Sequence, residues 1–388
     1  MAGSTQHRFE ALDGWRGIAA LAIAFYHLPI AHPLRAMSGW KNTELFVDLF
    51  FVLSGFVIMH AWGRKLNTSA DGASFMLRRF WRIWPLHIAI LACFLLAEFG
   101  EALASRLLNI GFGETPLTGP TSIPALLSNI LMVQALNLHG TTTWNGPAWS
   151  ISVEFWTYAL FALAMLITRG RTLTLVLMAA GGLAVVAWLS PIYLFATHDF
   201  GLPRAIYGFF TGAVTYRLVM ANAGRPASGT VGEVFVVAGM LAYLAATGLD
   251  ASSLFAPLVF AALILVFANG RGAVSAVLLS RPVQALGLWS YSIYLVHTLL
   301  YYGLRMGLLV VEKFTGRSFT ASGSGSERLF SLGHGALDAT AIVALLALTI
   351  WISRYTYTFI EARFMSRASM SNARIDVAMR RGASAAQT

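Results

Sequence analysis

Arg16 and His27 stand eleven positions apart inside one apolar stretch, LDGWRGIAALAIAFYHL. On a helix that spacing is about 16 Å, roughly half the thickness of a bilayer core of about 30 Å. Ionisable groups are costly in such a stretch and mark function by default. Asp48 opens the next apolar stretch, Glu154 opens a later one, and His297 lies inside another. Imidazole and carboxylate together make a general base. The carboxylate accepts from one ring nitrogen, and the other nitrogen takes a proton from a hydroxyl. His27 oriented by Asp48 is the expected base, with Glu154 as acid or acceptor-binding group and Ser150 or Ser152 as oxyanion donor. The competing reading of the same residues is a polar clamp between helices. Paired-histidine and HExxH spacings are absent, and Cys93 is the single cysteine, so no metal site is expected.

A second group is basic. MLRRFWRIWPLH places Arg78, Arg79 and Arg82 just before and inside an apolar segment. Arg78 and Arg82, four apart, are expected on one helix face. With Arg16 they can hold phosphate, which guanidinium pairs bidentately. Positive-inside anchoring or contact with anionic lipid explains the same charges. In FFVLSGFVIM, Ser54 and Gly55 form a small face that a second helix or a thin ligand can approach.

The elements that must position these groups are membrane helices. Of 388 residues 57% are hydrophobic and only 11% charged, against about 25% charged in soluble domains. The net charge of +10 sits in short loops between apolar segments, which excludes a nucleic-acid surface and fits a membrane topology. Ten spans are expected, over 14–31, 44–62, 80–99, 149–168, 172–190, 203–221, 231–248, 253–269, 285–304 and 337–359. The shorter apolar run 124–138 reads as interfacial or re-entrant. With both termini cytoplasmic, loop Lys and Arg divide roughly two to one in favour of the inner side, with Arg204 counted among the outer. That topology puts His27, Asp48 and Glu154 at similar depth toward the outer face, where His297 can join them. The long loop 100–147 is a candidate roof over the site, and 312–335, with its SGSGS run, a flexible connector. A cleavable signal peptide is disfavoured because no small-x-small pattern follows His27. No internal repeat is visible, which weighs against a secondary transporter using His27, Asp48 and Glu154 as a proton relay.

LDGWRGIAALAIAFYHL, FVDLFFVLSGFVIMHAW, FMLRRFWRIWPLH, WSISVEFWTY, LGLWSYSIYLVH and the closing FIEARF occur in this order along nearly the whole chain. Together they resemble the acyltransferase-3 family of membrane O-acyltransferases. The resemblance implies an all-α polytopic membrane helix bundle in a bacterial cytoplasmic membrane, with a transmembrane domain over 1–368 and a disordered cytoplasmic tail over 369–388. It implies a stand-alone member without the C-terminal esterase-like domain that many relatives carry. The donor it implies is acyl-CoA, acetyl-CoA by default. The implied acceptor is a glycan hydroxyl, as in exopolysaccharide or O-antigen, or a small molecule. By this resemblance Arg16 and His27 correspond to the family's essential pair and Asp48 to its following acid. Arg78, Arg79 and Arg82 match the acyl-CoA cluster, Ser54 and Gly55 the FFxxSG motif, and Ser150, Ser152 and Glu154 the Ser/Glu motif. His297 is a further substrate-contact candidate. Transfer is either direct or through an acylated residue, and a pantetheine arm is about as long as the Arg16–His27 separation.

Overall fold

The computed structural model describes residues 9–37, 39–108, 115–222, 228–321 and 329–366. The expected tail over 369–388 and the SGSGS run lie outside them. Among the described residues thirteen α-helices follow one another. They are α1 (Glu10–Tyr26), α2 (Phe46–Trp62), α3 (Ser69–Leu108), α4 (Ile123–Ile130), α5 (Trp149–Thr168), α6 (Thr172–Leu189), α7 (Gly201–Ala221), α8 (Thr230–Ala246), α9 (Ala256–Phe267), α10 (Ala273–Leu278), α11 (Arg281–Leu288), α12 (Ser290–Thr315) and α13 (Gly335–Thr356). Each of the ten expected spans carries a helix. Among the described residues six helical segments, those holding α2, α3, α5, α6, α12 and α13, are both long and apolar enough to cross a bilayer. The molecule is an all-α membrane helix bundle.

Boundaries shift for local reasons. The first helix ends at Tyr26 rather than 31, because Pro29 disfavours helical backbone at the residue before it. The third helix begins eleven residues earlier than expected. Thr68 and Asp71 cap it reciprocally, Thr68 N donating to Asp71 Oδ2 (2.8 Å) and Asp71 N to Thr68 Oγ1 (3.2 Å). The basic cluster therefore lies within α3. The run 124–138 yields only the eight-residue α4, about 12 Å long and too short to span.

Close backbone approach fixes the centre of the bundle. A Cβ on Gly55 of α2 would lie 1.8 Å from the Phe209 carbonyl oxygen of α7, and one on Gly212 of α7 would lie 1.9 Å from that of Val52. Only glycine admits this contact. The long loop after α3 is tied down rather than loose. His87 Nε2 and Trp84 Nε1 of α3 donate to the carbonyls of Asn129 and Ile130 (both 3.0 Å). Asn145 Nδ2 donates to Leu295 O of α12 (3.2 Å), and Thr298 Oγ1 donates to Asn145 Oδ1 (2.6 Å).

The 312–335 segment is more than a connector. Strands β1 (Thr320–Ala321) and β2 (Leu329–Phe330) pair antiparallel. Phe330 exchanges backbone hydrogen bonds with the chain just past α1, Ala31 N to Phe330 O and Phe330 N to Pro29 O, both 2.8 Å. This ribbon is thereby joined to the end of the bundle that carries His27.

Candidate active site

The residues expected to share one site fall into three networks. His27 caps the C-terminal end of α1, with Nδ1 donating to Ile23 O (2.9 Å) and facing His297 Nε2 of α12 (3.4 Å). Asp48 does not orient His27. Its carboxylate is clasped by Arg204 of α7, Nε to Oδ1 at 3.0 Å and Nη2 to Oδ2 at 2.7 Å. Glu154 is in neither network. Its Oε1 accepts from Ser54 Oγ (2.7 Å) and from Tyr158 OH (2.6 Å), beside the arginines. The physical reason is depth. Glu154 sits at the sixth position of α5 and Ser54 at the ninth of α2, so their meeting point is helical turns away from Asp48.

The arginines surround a cavity of about 160 Å³ lined by α1, α2, α3, α5 and α12. Arg16, Arg79 and Arg82 line it together with Ser54, Glu154 and Tyr158, and the Arg79 guanidinium lies 5.9 Å over the Tyr158 ring. Arg78 does not join them. Its guanidinium lies over the Trp62 ring at 5.7 Å, so of the three α3 arginines expected to act together Arg79 and Arg82 line the cavity. Arg82 is the most constrained of the three. It rests on the Tyr291 ring (5.5 Å) and donates to Glu361, whose other oxygen accepts from Ser292. Glu361 is buried at the end of a π-helical turn, Tyr357–Glu361, that continues α13. Arg16 makes only a 3.6 Å pair with Asp13, both about a quarter exposed. The cavity thus offers one arginine held by a buried carboxylate and two without that constraint.

Phe50, Ser150 and Tyr294 line the cavity as well. Ser150 Oγ and Tyr294 OH are 2.8 Å apart and both donate to Pro147 O (3.0 and 2.9 Å). The Phe50 and Tyr294 rings meet at 5.9 Å, Tyr294 stands 6.1 Å from His297, and His297 stands 5.2 Å from His27. A chain of contacts therefore joins the basic cavity to the histidine pair. Ser152 lies off this line, buried with its Oγ on Met132 O (2.8 Å), where it pins the loop. Gly55 likewise serves the α2–α7 contact. Among the described residues, no group of three or more His, Cys, Asp or Glu side chains is placed to hold a metal ion.

Sequence reasoning missed Arg204, Glu361 and Tyr158 as site residues. Arg204 was legible as a cation near the start of an apolar segment, at a depth matching Asp48. Glu361 was legible as an acid just past the last expected span, in the closing FIEARF.

These features define an integral membrane protein with a basic cavity at one depth and an imidazole pair at another. The chain belongs to the acyltransferase-3 family, whose acyltransferase-domain pattern matches residues 9–358, and it is a membrane acyltransferase. It is 27% identical over 371 residues to a protein named acyltransferase MdmB from Streptomyces mycarofaciens, covering 87% of this chain and 88% of that one. It is 34% identical over 170 residues to protein 2 in the picA locus of Rhizobium radiobacter, covering 42% of this chain and 85% of that protein. No solved structure gives a significant match.

Proposed function

We propose that the chain moves an acetyl group from cytoplasmic acetyl-CoA to a hydroxyl of an extracytoplasmic or lipid-linked glycan. The observation that carries this reading is the separation of two chemistries within one bundle. Three arginines face a cavity at one depth, and His27 with His297 lies beyond Tyr294 at another. The donor's phosphates pair with Arg16, Arg79 and Arg82, because guanidinium forks match phosphate oxygens. The thin pantetheine arm extends past Ser54 and Ser150 and brings the thioester to the Tyr294 level. The bacterial cytoplasmic membrane, with both termini cytoplasmic, puts the arginines on the donor's side.

His27 Nε2 takes the acceptor's hydroxyl proton as the oxygen bonds to the thioester carbonyl carbon. The carbonyl electrons move to oxygen, which Ser150 stabilises by turning its one hydroxyl hydrogen from Pro147 O, where Tyr294 OH still donates. The C–S bond then breaks, and the thiolate takes the proton from His27 to leave as free CoA. Arg16 and Glu154 bind and orient the donor, while Asp48 acts through the Arg204 clasp that fixes α2 against α7.

The test uses purified protein in nanodiscs with radiolabelled acetyl-CoA. Release of CoA with label transfer to a glycan, lost in His27→Ala with donor binding retained, is the expected result. Full transfer by His27→Ala removes His27 from the reaction. Donor turnover with small-molecule hydroxyls but no glycan reassigns the acceptor.

A further inference from the structure

We propose that His297 is the positioning residue for His27, selecting the tautomer in which Nε2 is the base. The proposal rests on the reading of His27 as the proton acceptor. His297 is fully buried in α12, and its Nδ1 stands 3.1 Å from Ile293 O. A backbone carbonyl only accepts, so this Nδ1 carries a hydrogen and the neutral ring's lone pair is on Nε2. That lone pair faces His27 Nδ1 at 3.4 Å.

The same logic applies to His27. Its Nδ1 stands 2.9 Å from Ile23 O and therefore also carries a hydrogen. That hydrogen has two acceptors, one from its own helix and one from α12. In the neutral ring the lone pair of His27 is thereby assigned to Nε2, the atom that takes the acceptor's proton. Once the proton has moved, His27 is an imidazolium, and its Nδ1–H bond to the His297 lone pair is charge-assisted and stronger. The role expected of a carboxylate is filled by a second imidazole, while Asp48 is held by Arg204.

The frame around His297 is rigid enough for the role. Tyr301 OH donates to Ala24 O of α1 at 3.0 Å, tying α12 to α1 one turn from His27. Asn145 bridges Leu295 and Thr298 on the turn that holds His297. The Tyr294 and Tyr301 rings pack edge-on to its imidazole. A site group held this way keeps its geometry without relying on a loop.

The experiment compares His297→Leu, which fills space without an acceptor, with His297→Gln, whose amide oxygen reaches toward the Nε2 position. The expected result is a fall in kcat of about ten- to a hundredfold for Leu, a fraction of what a positioned base contributes. The acetyl-CoA KM stays unchanged, and Gln recovers part of kcat. Equal loss in both variants assigns His297 to packing and overturns the proposal, as does an unchanged kcat in Leu. A second measurement reads the tautomer directly: ¹⁵N shifts of histidine-labelled wild type and His297→Leu in nanodiscs, with His27 assigned by substitution. A His27 ring protonated at Nδ1 in the wild type that becomes a tautomer mixture in His297→Leu supports the proposal; a ring unchanged in His297→Leu, held by Ile23 O alone, overturns it, as does a wild-type ring protonated at Nε2 alone. A wild-type protein that turns over no acetyl-CoA defeats the acyl-transfer reading instead, and the tautomer signal still decides the His297 assignment.

Discussion

Arg204 clasps Asp48 with two parallel hydrogen bonds in a place where neither side chain has any exposure. Each of the three guanidinium nitrogens donates, since Nη1 bonds Ala196 O (2.9 Å), and its Cζ lies over the Trp149 ring at 5.1 Å. Breaking such a pair leaves an uncompensated buried charge, at a cost of about 3–5 kcal/mol. Asp48→Asn and Arg204→Gln should each lower the unfolding temperature in detergent markedly. The neutral double variant should recover most of that loss. A normal unfolding temperature with lost turnover in Asp48→Asn would instead give Asp48 a direct part in the reaction.

The α2–α7 contact gives a sharper structural prediction. Gly55→Ala sets a methyl group 1.8 Å from a backbone oxygen of α7, and a backbone cannot rotate away as a side chain can. The two helices must separate, at a cost of at least the roughly 1–3 kcal/mol usual for overpacking. Gly181→Ala on α6 is the control. Nothing lies within 4 Å of its would-be Cβ, so the change should be neutral or stabilising by up to about 1 kcal/mol. Unfolding temperatures of the two variants check both halves.

Much of the bundle was readable because apolar stretches of membrane length have one low-energy form, the helix, and loop charge marks their ends. What sequence could not show is which ionisable groups meet. Glu154 meets Ser54 six positions along α2 from Asp48, so depth separates those two, and which partner each group faces depends on how the helices rotate against one another. Asp48 met Arg204 because Gly55 and Gly212 let α7 come close to α2. Of the expected cluster Arg78, Arg79 and Arg82, it is Arg78 that lies away from the cavity, on the same ground. Spacing gives neighbours on one helix, but Trp62, on another helix, captured Arg78.

That difference between Arg78 and Arg79 is measurable. Arg79 lines the cavity, its guanidinium over the Phe75 and Tyr158 rings at 5.8 and 5.9 Å. A lost charge-assisted hydrogen bond costs about 1.5–3 kcal/mol, so Arg79→Ala should raise the donor KM about ten- to a hundredfold. Arg78→Ala removes a cation–π contact worth about 0.5–1 kcal/mol. It should change the donor KM only a fewfold at most. Equal effects on the donor KM would put Arg78 in the cavity.

The Arg82–Glu361 pair makes a prediction about ligand linkage. Glu361 is the buried counter-charge of a cavity arginine, and it comes from the last helix of the bundle. Glu361→Gln keeps the shape and a hydrogen-bond acceptor but removes the charge, so the unliganded protein should be less stable, by at most about 3–5 kcal/mol. An anionic donor in the cavity supplies a replacement charge to Arg82. The upward shift in unfolding temperature produced by saturating acetyl-CoA should therefore be larger in Glu361→Gln than in the wild type, because a ligand that binds the folded state more tightly stabilises it more. Arg82→Gln in the Glu361→Gln background removes the unpaired charge and should remove the extra shift. Equal ligand-induced shifts in wild type and Glu361→Gln would mean that the donor's phosphates do not reach Arg82, and that Glu361 serves only to close α13 against α3.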